Sequence, residues 1–182
     1  MTARDFTRVR FQSQRLDFRT FTAADAAPSF EYATARVTRY LSWEPYPSPE
    51  AFAQSWQRWD AEAAAGNDAH LVVRTRDGEF IGAAGIHFRD GPEPTVGLWI
   101  KEAAWGQGYG VEIVGSLLGW IAGNLGVTAV IYPVVSDNRA SRRIAERFGG
   151  TVVAQRKRTR PRETGETTVL YRIALPATAA PR

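Results

Sequence analysis

The spacing of apolar positions divides the chain into short alternating elements. Gln14 to Phe21 alternates polar and apolar side chains around Leu16 and Phe18, the period-two signature of a half-buried strand. Ala23 to Arg36 predicts a helix, with Pro28 in its first turns, where proline is tolerated. Tyr40 to Pro49 holds three prolines beside Trp43 and Tyr46 and reads as an aromatic loop. Ser48-Pro49-Glu50 then opens a helix to about Ala65, with Ser48 as N-cap and Gly66-Asn67 as the stop. His70 to Arg76 and Glu79 to Phe88 are strands joined through Asp77-Gly78, a strong hairpin signal, and so antiparallel neighbours. A loop with Gly91, Pro92 and Pro94 precedes a strand over Thr95 to Ile100. A glycine-rich turn leads into a helix from about Gly110 to Leu125, whose apolar stripe is Ile113/Val114, Leu117/Leu118, Ile121 and Leu125. Val127 to Val135 is nearly all apolar and reads as a central strand. A helix from Asn138 to Phe148 follows and stops at Gly149-Gly150, and Thr151 to Lys157 with Thr167 to Leu175 closes the chain as a hairpin. The order β-α-α-β-β-β-α-β-α-β-β predicts a mixed sheet with helices, antiparallel early, with one β-α-β crossover through the glycine turn.

Length and composition limit what this framework can do. With 182 residues, 44% hydrophobic and 23% charged, the chain suits one domain, over residues 1–175, with 176–182 as a frayed tail. It has no cysteine, which excludes disulfides, thiolate zinc and a cysteine nucleophile, and its two histidines, His70 and His87, are too few for a histidine-rich metal site, so no metal is expected. Met1 to Gln14 has no signal-peptide core and no apolar run approaches a membrane span, which predicts a cytoplasmic protein without a membrane partner. Charge is uneven: Arg139 to Arg162 carries +8 and the remainder −4, the mark of a side that faces anions or of a solvated basic surface.

The turn Trp105-Gly106-Gln107-Gly108-Tyr109-Gly110 is where chemistry enters. A strand running into a glycine turn and then a helix suits a phosphate, because unpaired amides converge there and the helix dipole favours an anion, with Gly106, Gly108 and Gly110 letting the backbone come close. A tight turn closed by glycine for packing would look similar. A P-loop fails because Val111-Glu112 follows Gly110, and a dinucleotide fingerprint fails on its last glycine spacing and on the absence of an acid in residues 127–135.

The sequence resembles the GNAT superfamily of acetyltransferases, whose cofactor turn has the pattern [Arg/Gln]-x-x-Gly-x-[Gly/Ala], and is most similar to its ribosomal-protein (RimJ/RimL-like) branch. Further segments carry the resemblance: Tyr40-Leu41-Ser42-Trp43, Phe80-Ile81-Gly82, Val96-Gly97-Leu98-Trp99-Ile100 and Asp137-Asn138-Arg139-Ala140-Ser141. It implies an α/β (α+β) single domain with a mixed, mostly antiparallel, splayed sheet flanked by helices. It also implies acetyl-CoA as cosubstrate and direct attack of a primary amine on the thioester. The phosphates would lie on the amides of Gln107, Gly108, Tyr109, Gly110 and Val111, the pantetheine arm against the backbone of Leu98, Trp99 and Ile100, and Asn138 would touch the cofactor as well as capping its helix. Two departures stand out. Trp105 replaces the Arg or Gln that often braces the turn, and Ala145 stands where many relatives place an acidic tyrosine, so Ser141 is the candidate catalytic group for the departing thiolate.

No general base can be named among Glu44, His87, Asp90, Glu93 and Glu102, and Thr95 occupies a strand position where relatives often have glutamate. Trp43, Tyr46, Trp56 and Trp59 suit an acceptor pocket or ordinary packing. Arg156, Lys157, Arg158, Arg160 and Arg162 lack interleaved aromatics and read as a solvated hairpin loop, without nucleic-acid readout. The expected partner is an amine acceptor, a protein N-terminal α-amine or a small molecule, with a homodimer left open. The rival readings are a non-catalytic acyl-CoA-binding or protein-interaction module and, more remotely, a nicotinamide-dependent oxidoreductase.

Overall fold

The structure, a computed structural model, describes residues 4–88, 91–159, 161 and 164–176. Its described strands form a single sheet in the order β1-β2-β3-β4-β5-β6-β8-β7, with β1 Arg10–Gln12, β2 Leu16–Thr20, β3 Asp68–Thr75, β4 Phe80–His87, β5 Thr95–Ile100, β6 Ala129–Val135, β7 Thr151–Lys157 and β8 Thr167–Ala174. All neighbours are antiparallel except β5 and β6. The helices are α1 Ala26–Tyr32, α2 Ala35–Thr38, α3 Pro49–Trp56, α4 Trp59–Ala64, α5 Tyr109–Asn124 and α6 Arg139–Arg147. The mixed sheet and the crossover β5-α5-β6 are those the sequence predicts. The expected tail falls mostly on residues 177–182, outside the described residues.

Alternation along the strands sorts side chains into two layers. Leu71, Val73, Ile81, Ala84, Ile86, Val96, Val130, Tyr132 and Val134 meet Ile113, Val114, Leu117 and Ile121 of α5 on one face. The other face carries Val72 and Phe80, covered by Phe21, Phe52, Trp56 and Trp59. The early helices break where the sequence reads them as continuous. Thr34 accepts from Val37 N–H and starts α2 anew, and Arg58 N–H turns back to Ser55 in a 3-10 step between α3 and α4. That step lets Trp56 and Trp59 both pack on Phe21, at 5.8 and 4.8 Å. Strand β1 has only three residues, too short for periodicity to show.

Proline explains why the sheet opens beside β5. β6 is a central strand, yet Pro133 lies in its middle, where proline removes a ladder donor. Ser136 N–H donates to Thr167 O and Leu175 N–H to Thr128 O, so even-numbered β6 residues bond to β8 and odd-numbered ones face β5. Ile131 N–H donates to Pro94 O, and the next rung would need an amide at Pro133. The parallel register is accordingly confined to Thr95 opposite Ile131, and beyond it β5 and β6 part.

Candidate active site

The glycine turn crosses from the end of β5 to α5. Gly106 and Gly108 have φ of 75° and 80°, a conformation that L side chains adopt at a cost. Gly108 is the N-cap, and the first helical bond is Glu112 N–H to Gly108 O, which leaves the amides of Tyr109, Gly110 and Val111 with no intrahelical acceptor. A Cβ at Gly110 would lie 2.9 Å from Ile144 Cδ1, the far end of a flexible side chain, so this glycine also sits close against α6. Trp105, in place of the usual bracing residue, donates its indole N–H to Ile100 O at 2.7 Å and pins the end of β5. The turn is braced from outside the motif. Arg15 donates to Gln107 O (3.1 Å) and to Glu112 (2.6 Å), its guanidinium lies over the Tyr109 ring, and Ser13 also donates to Glu112. Burial raises the Glu112 pKa, but the bonds from Ser13 and Arg15 outweigh it and hold the carboxylate below its ordinary value. Neither Arg15 nor Ser13 carries a sequence signal for this role.

The expected pantetheine strand is sorted by parity. Lys101 N–H donates to Ile81 O, so the hydrogen-bonded pairs with β4 include Trp99 opposite Ala83, and the main chain of Leu98 and Ile100 faces the gap beside β6. Trp99 turns its backbone to β4 instead. Gly82 allows this close approach, since a Cβ there would meet Trp99 O at 2.1 Å.

Across the gap, Ser141 and Asn138 sit at the start of α6. Asn138 Oδ1 accepts the Ser141 amide at 3.1 Å, so its oxygen is committed to capping. Ser141 Oγ is 2.7 Å from the hydroxyl of Tyr132, whose place in the apolar run of β6 gives no sign of this contact. Tyr132 is 2% exposed, and burial pushes its pKa up to about 12 against the opposing bond from Ser141. The phenol is therefore protonated at neutral pH and can donate to Ser141.

The opposite face bears the aromatic loop. Trp43 approaches Tyr46 (6.1 Å) and Trp99 (6.5 Å), whereas Trp56 and Trp59 are packing residues, Trp59 stacked on His70 at 4.0 Å. A cleft of about 360 Å³ opens between Thr38, Arg39, Glu44, Arg158 and Glu166. Arg156 and Lys157 are exposed, as a solvated basic loop requires, and Arg160 and Arg162 lie outside the described residues, but Arg158 departs from that expectation. It is buried, pairs with Glu166 and donates to the carbonyls of Arg39 (2.9 Å) and Leu41 (2.8 Å), tying the strand β7 exit to α2. A second cleft, about 410 Å³, lies at the β1–β2 edge around Arg19 and Trp56, away from the glycine turn.

The candidate bases separate by their partners. Glu93 is held by Arg172, and Glu102 by Arg36 (3.0 Å) and Thr34 (2.8 Å). Asp90 lies outside the described residues. His87 Nδ1 is 2.7 Å from Asp68 Oδ1, and the His87 and His70 rings meet edge to face at 5.5 Å.

Comparison with known proteins agrees with this fold. No curated protein matches the sequence. Among solved structures, the RimL ribosomal L7/L12 alpha-N-protein acetyltransferase superposes with TM-score 0.81 at 16% identity, covering 92% of this chain and 95% of the other. An acetyltransferase from Agrobacterium tumefaciens is 26% identical over 90% of this chain and 93% of its own, with TM-score 0.69. Spermidine N-acetyltransferase from Vibrio cholerae, solved with CoA and spermine, gives TM-score 0.77 at 14% identity, covering 89% and 96%. The acetyltransferase (GNAT) domain profile matches residues 15–151, three quarters of the chain, and the protein belongs to the GNAT acetyltransferase family, enzymes that use acetyl-CoA.

Proposed function

We propose that this acetyltransferase moves acetyl from acetyl-CoA to the α-amine of a peptide N-terminus by direct attack on the thioester. The observation that carries the reading is the gap between β5 and β6, which Pro133 keeps unlaced. It has unpaired amides of α5 at one end, the Leu98 and Ile100 main chain along one side, and the Ser141–Tyr132 hydroxyl pair on the other. A phosphate-bearing, amide-rich chain ending in a thioester fits that order of groups. Ser141 would donate toward the sulfur as the C–S bond breaks, backed by Tyr132, which supports charge that develops only in the transition state.

The acceptor follows from electrostatics. An α-amine has a pKa of about 7.7–8.0 against about 10.4 for lysine, so at neutral pH about several hundred times more of it is neutral. The cleft beside Trp43 carries Arg39 and Arg158 as well as Glu44 and Glu166, a poor welcome for a polycation such as spermine. RimL acts on a protein α-amine and the Vibrio cholerae neighbour on spermidine, so both acceptor classes occur on this fold.

The test is thiol release from acetyl-CoA with three acceptors: a peptide with a free N-terminus, the same peptide blocked there but carrying an internal lysine, and spermine. The free N-terminus should be preferred. Preference for lysine or spermine overturns the acceptor assignment. Acetyl-CoA binding without thiol release to any amine would favour the non-catalytic binding module instead.

A further inference from the structure

We propose that His87, oriented by Asp68, is the base that takes the proton from the acceptor ammonium. The proposal rests on the acetyl-transfer reading and deepens it. Its first observation is register. Thr95 and His87 are directly opposed on neighbouring strands, as are Gly97 and Gly85, and then Trp99 and Ala83. Residues two apart share a face, so His87, Gly85, Thr95, Gly97 and Trp99 lie together on the face of β4 and β5 that the aromatic loop covers. Where Thr95 offers no carboxylate, its cross-strand neighbour offers an imidazole.

The second observation is where that imidazole points. A Cβ built on Gly85 would lie 2.3 Å from His87 Nε2 and 2.9 Å from Cε1, so the ring lies along the strand over Gly85 with Nε2 leading. Beside it, a Cβ built on Gly97 would meet nothing within 4 Å. Two opposed glycines therefore leave a bare strip of sheet between His87 Nε2 and the β5 main chain, one residue before Leu98. A ligand amine has room there and a base at its margin. Substitution by any larger residue at 85 would displace the ring.

The third observation is the partner of Nδ1. Asp68 is 6% exposed in its side chain and 2.7 Å from His87 Nδ1, which places the proton of the neutral ring on Nδ1 and leaves Nε2 as acceptor. The charge that arrives on the imidazole is then met by a buried carboxylate. Among the described residues, the other charged groups on this face include His70, stacked on Trp59 and 3.4 Å from Glu62, the Glu93–Arg172 pair and, at the far end of β5, Lys101 with Glu79. Glu62 and Glu93 thus already have partners of their own.

The proton balance is simple. His87 Nε2 takes one proton from R–NH3⁺. The freed lone pair forms the C–N bond as the thioester carbonyl becomes tetrahedral. Collapse breaks the C–S bond, the second nitrogen proton ends on sulfur, and His87 returns its proton to water. No oxidant or further reactant is needed.

The experiment uses the purified enzyme, acetyl-CoA and a peptide with a free N-terminus, after wild-type turnover has been shown. Absence of turnover with every amine strikes the function reading, and the His87 question then does not arise. With turnover present, His87→Gln and the neutral pair Asp68→Asn/His87→Gln should each lower kcat/KM about tenfold near pH 7, where only about a tenth of the α-amine is neutral, with acetyl-CoA affinity unchanged. Above about pH 8 most of the acceptor is neutral, so the mutant rates should climb with pH and come within about twofold of wild type near pH 9. A structural role would give the same loss at every pH. Gly85→Ala keeps the imidazole but moves Nε2, and should cost about fourfold near pH 7 with the same convergence. Wild-type kcat/KM in the folded double variant, or a loss that does not shrink with pH in any of the three variants, overturns the proposal.

Discussion

Ser141→Ala and Tyr132→Phe, singly and together, test the hydroxyl pair by stability and by turnover. Ser141→Ala strands the phenol of Tyr132, 2% exposed and with its bonding partner gone, which costs about 1–3 kcal/mol. Tyr132→Phe deletes the buried hydroxyl and leaves a half-buried serine that water can reach, at about 0.5–1.5 kcal/mol. The double variant leaves nothing stranded and should cost less than the two singles summed, a coupling of about 1 kcal/mol. At about 2–4 °C per kcal/mol for a chain of this size, thermal melts resolve these differences. Tyr132 adds a pH signature. Its folded pKa is raised to about 12 from 10.0, so it stabilises the fold fully below about pH 10, and that contribution, about 2–3 kcal/mol, is lost as pH rises through about 12. Tyr132→Phe should remove that part of the alkaline loss. In kinetics, Ser141→Ala should reduce kcat and kcat/KM together by about 10²-fold with acetyl-CoA affinity nearly unchanged, since a hydroxyl is a weak acid and the bond grows with charge on sulfur. Tyr132→Phe should cost less, about tenfold. Wild-type turnover of Ser141→Ala in an assay limited by chemistry would reduce the serine to a helix residue, whatever the melts show.

Three further perturbations bear on the same architecture. Pro133→Ala gives β6 an amide that can bond Val96 O and lace the gap; displacing a bond worth about 1 kcal/mol should weaken acetyl-CoA about fivefold in a titration. Gly108→Ala strains a position with φ 80° and should weaken acetyl-CoA about tenfold with a modest melt shift, whereas Gly110→Ala meets only the tip of the Ile144 side chain inside a helix and should change stability by no more than about 1 kcal/mol, with affinity nearly unchanged. Equal effects at the two glycines would refute that division. Asp25→Ala should cost about 2–3 kcal/mol in denaturant melts, because it leaves Arg19 and Arg74, partly solvent-exposed, without their shared carboxylate. Burial raises the Asp25 pKa, but bonds from Arg19, Arg74 and Thr22 outweigh it and keep it below the ordinary value. Its contribution is therefore present above about pH 4 and lost as pH falls below that, a loss Asp25→Ala should not show.

Much of the fold was legible because its elements are periodic or punctuated. The α5 stripe, the Asp77-Gly78 hairpin and the apolar run of β6 each advertise one answer, and together they fix the crossover that carries the glycine turn. What escaped was local competition. Thr34 captures an amide and restarts a helix that propensity alone would continue, and Arg158 is buried by carbonyls supplied from residues 39 and 41, which no pattern along the sequence connects to it. The phosphate turn could be read, but its brace could not, because Arg15 and Glu112 meet only after β2 and α5 are placed. Pro133 was a signal in plain view: a proline in an apolar central run asks which neighbour loses a hydrogen bond, and the answer is the gap.

That gap also decides how the two halves of the reaction can meet. The sheet separates a face packed by α5 and α6, with Tyr132 and Ser141, from a face covered by the aromatic loop, with Trp99 and His87. A laced sheet would keep a thiolate-supporting hydroxyl and an amine-facing imidazole on opposite sides of a continuous hydrogen-bonded wall. Opening one parallel seam beyond Thr95 lets a thioester lie in the plane of the sheet, its sulfur reachable from the α6 side and its carbonyl carbon from the loop side. On the proposed reading, acid and base then need not share a pocket, and their ionisations stay independent. On that reading, a chain with Ala145 and Thr95 at these positions would draw one function from the serine beside Tyr132 and the other from the strand next to Thr95.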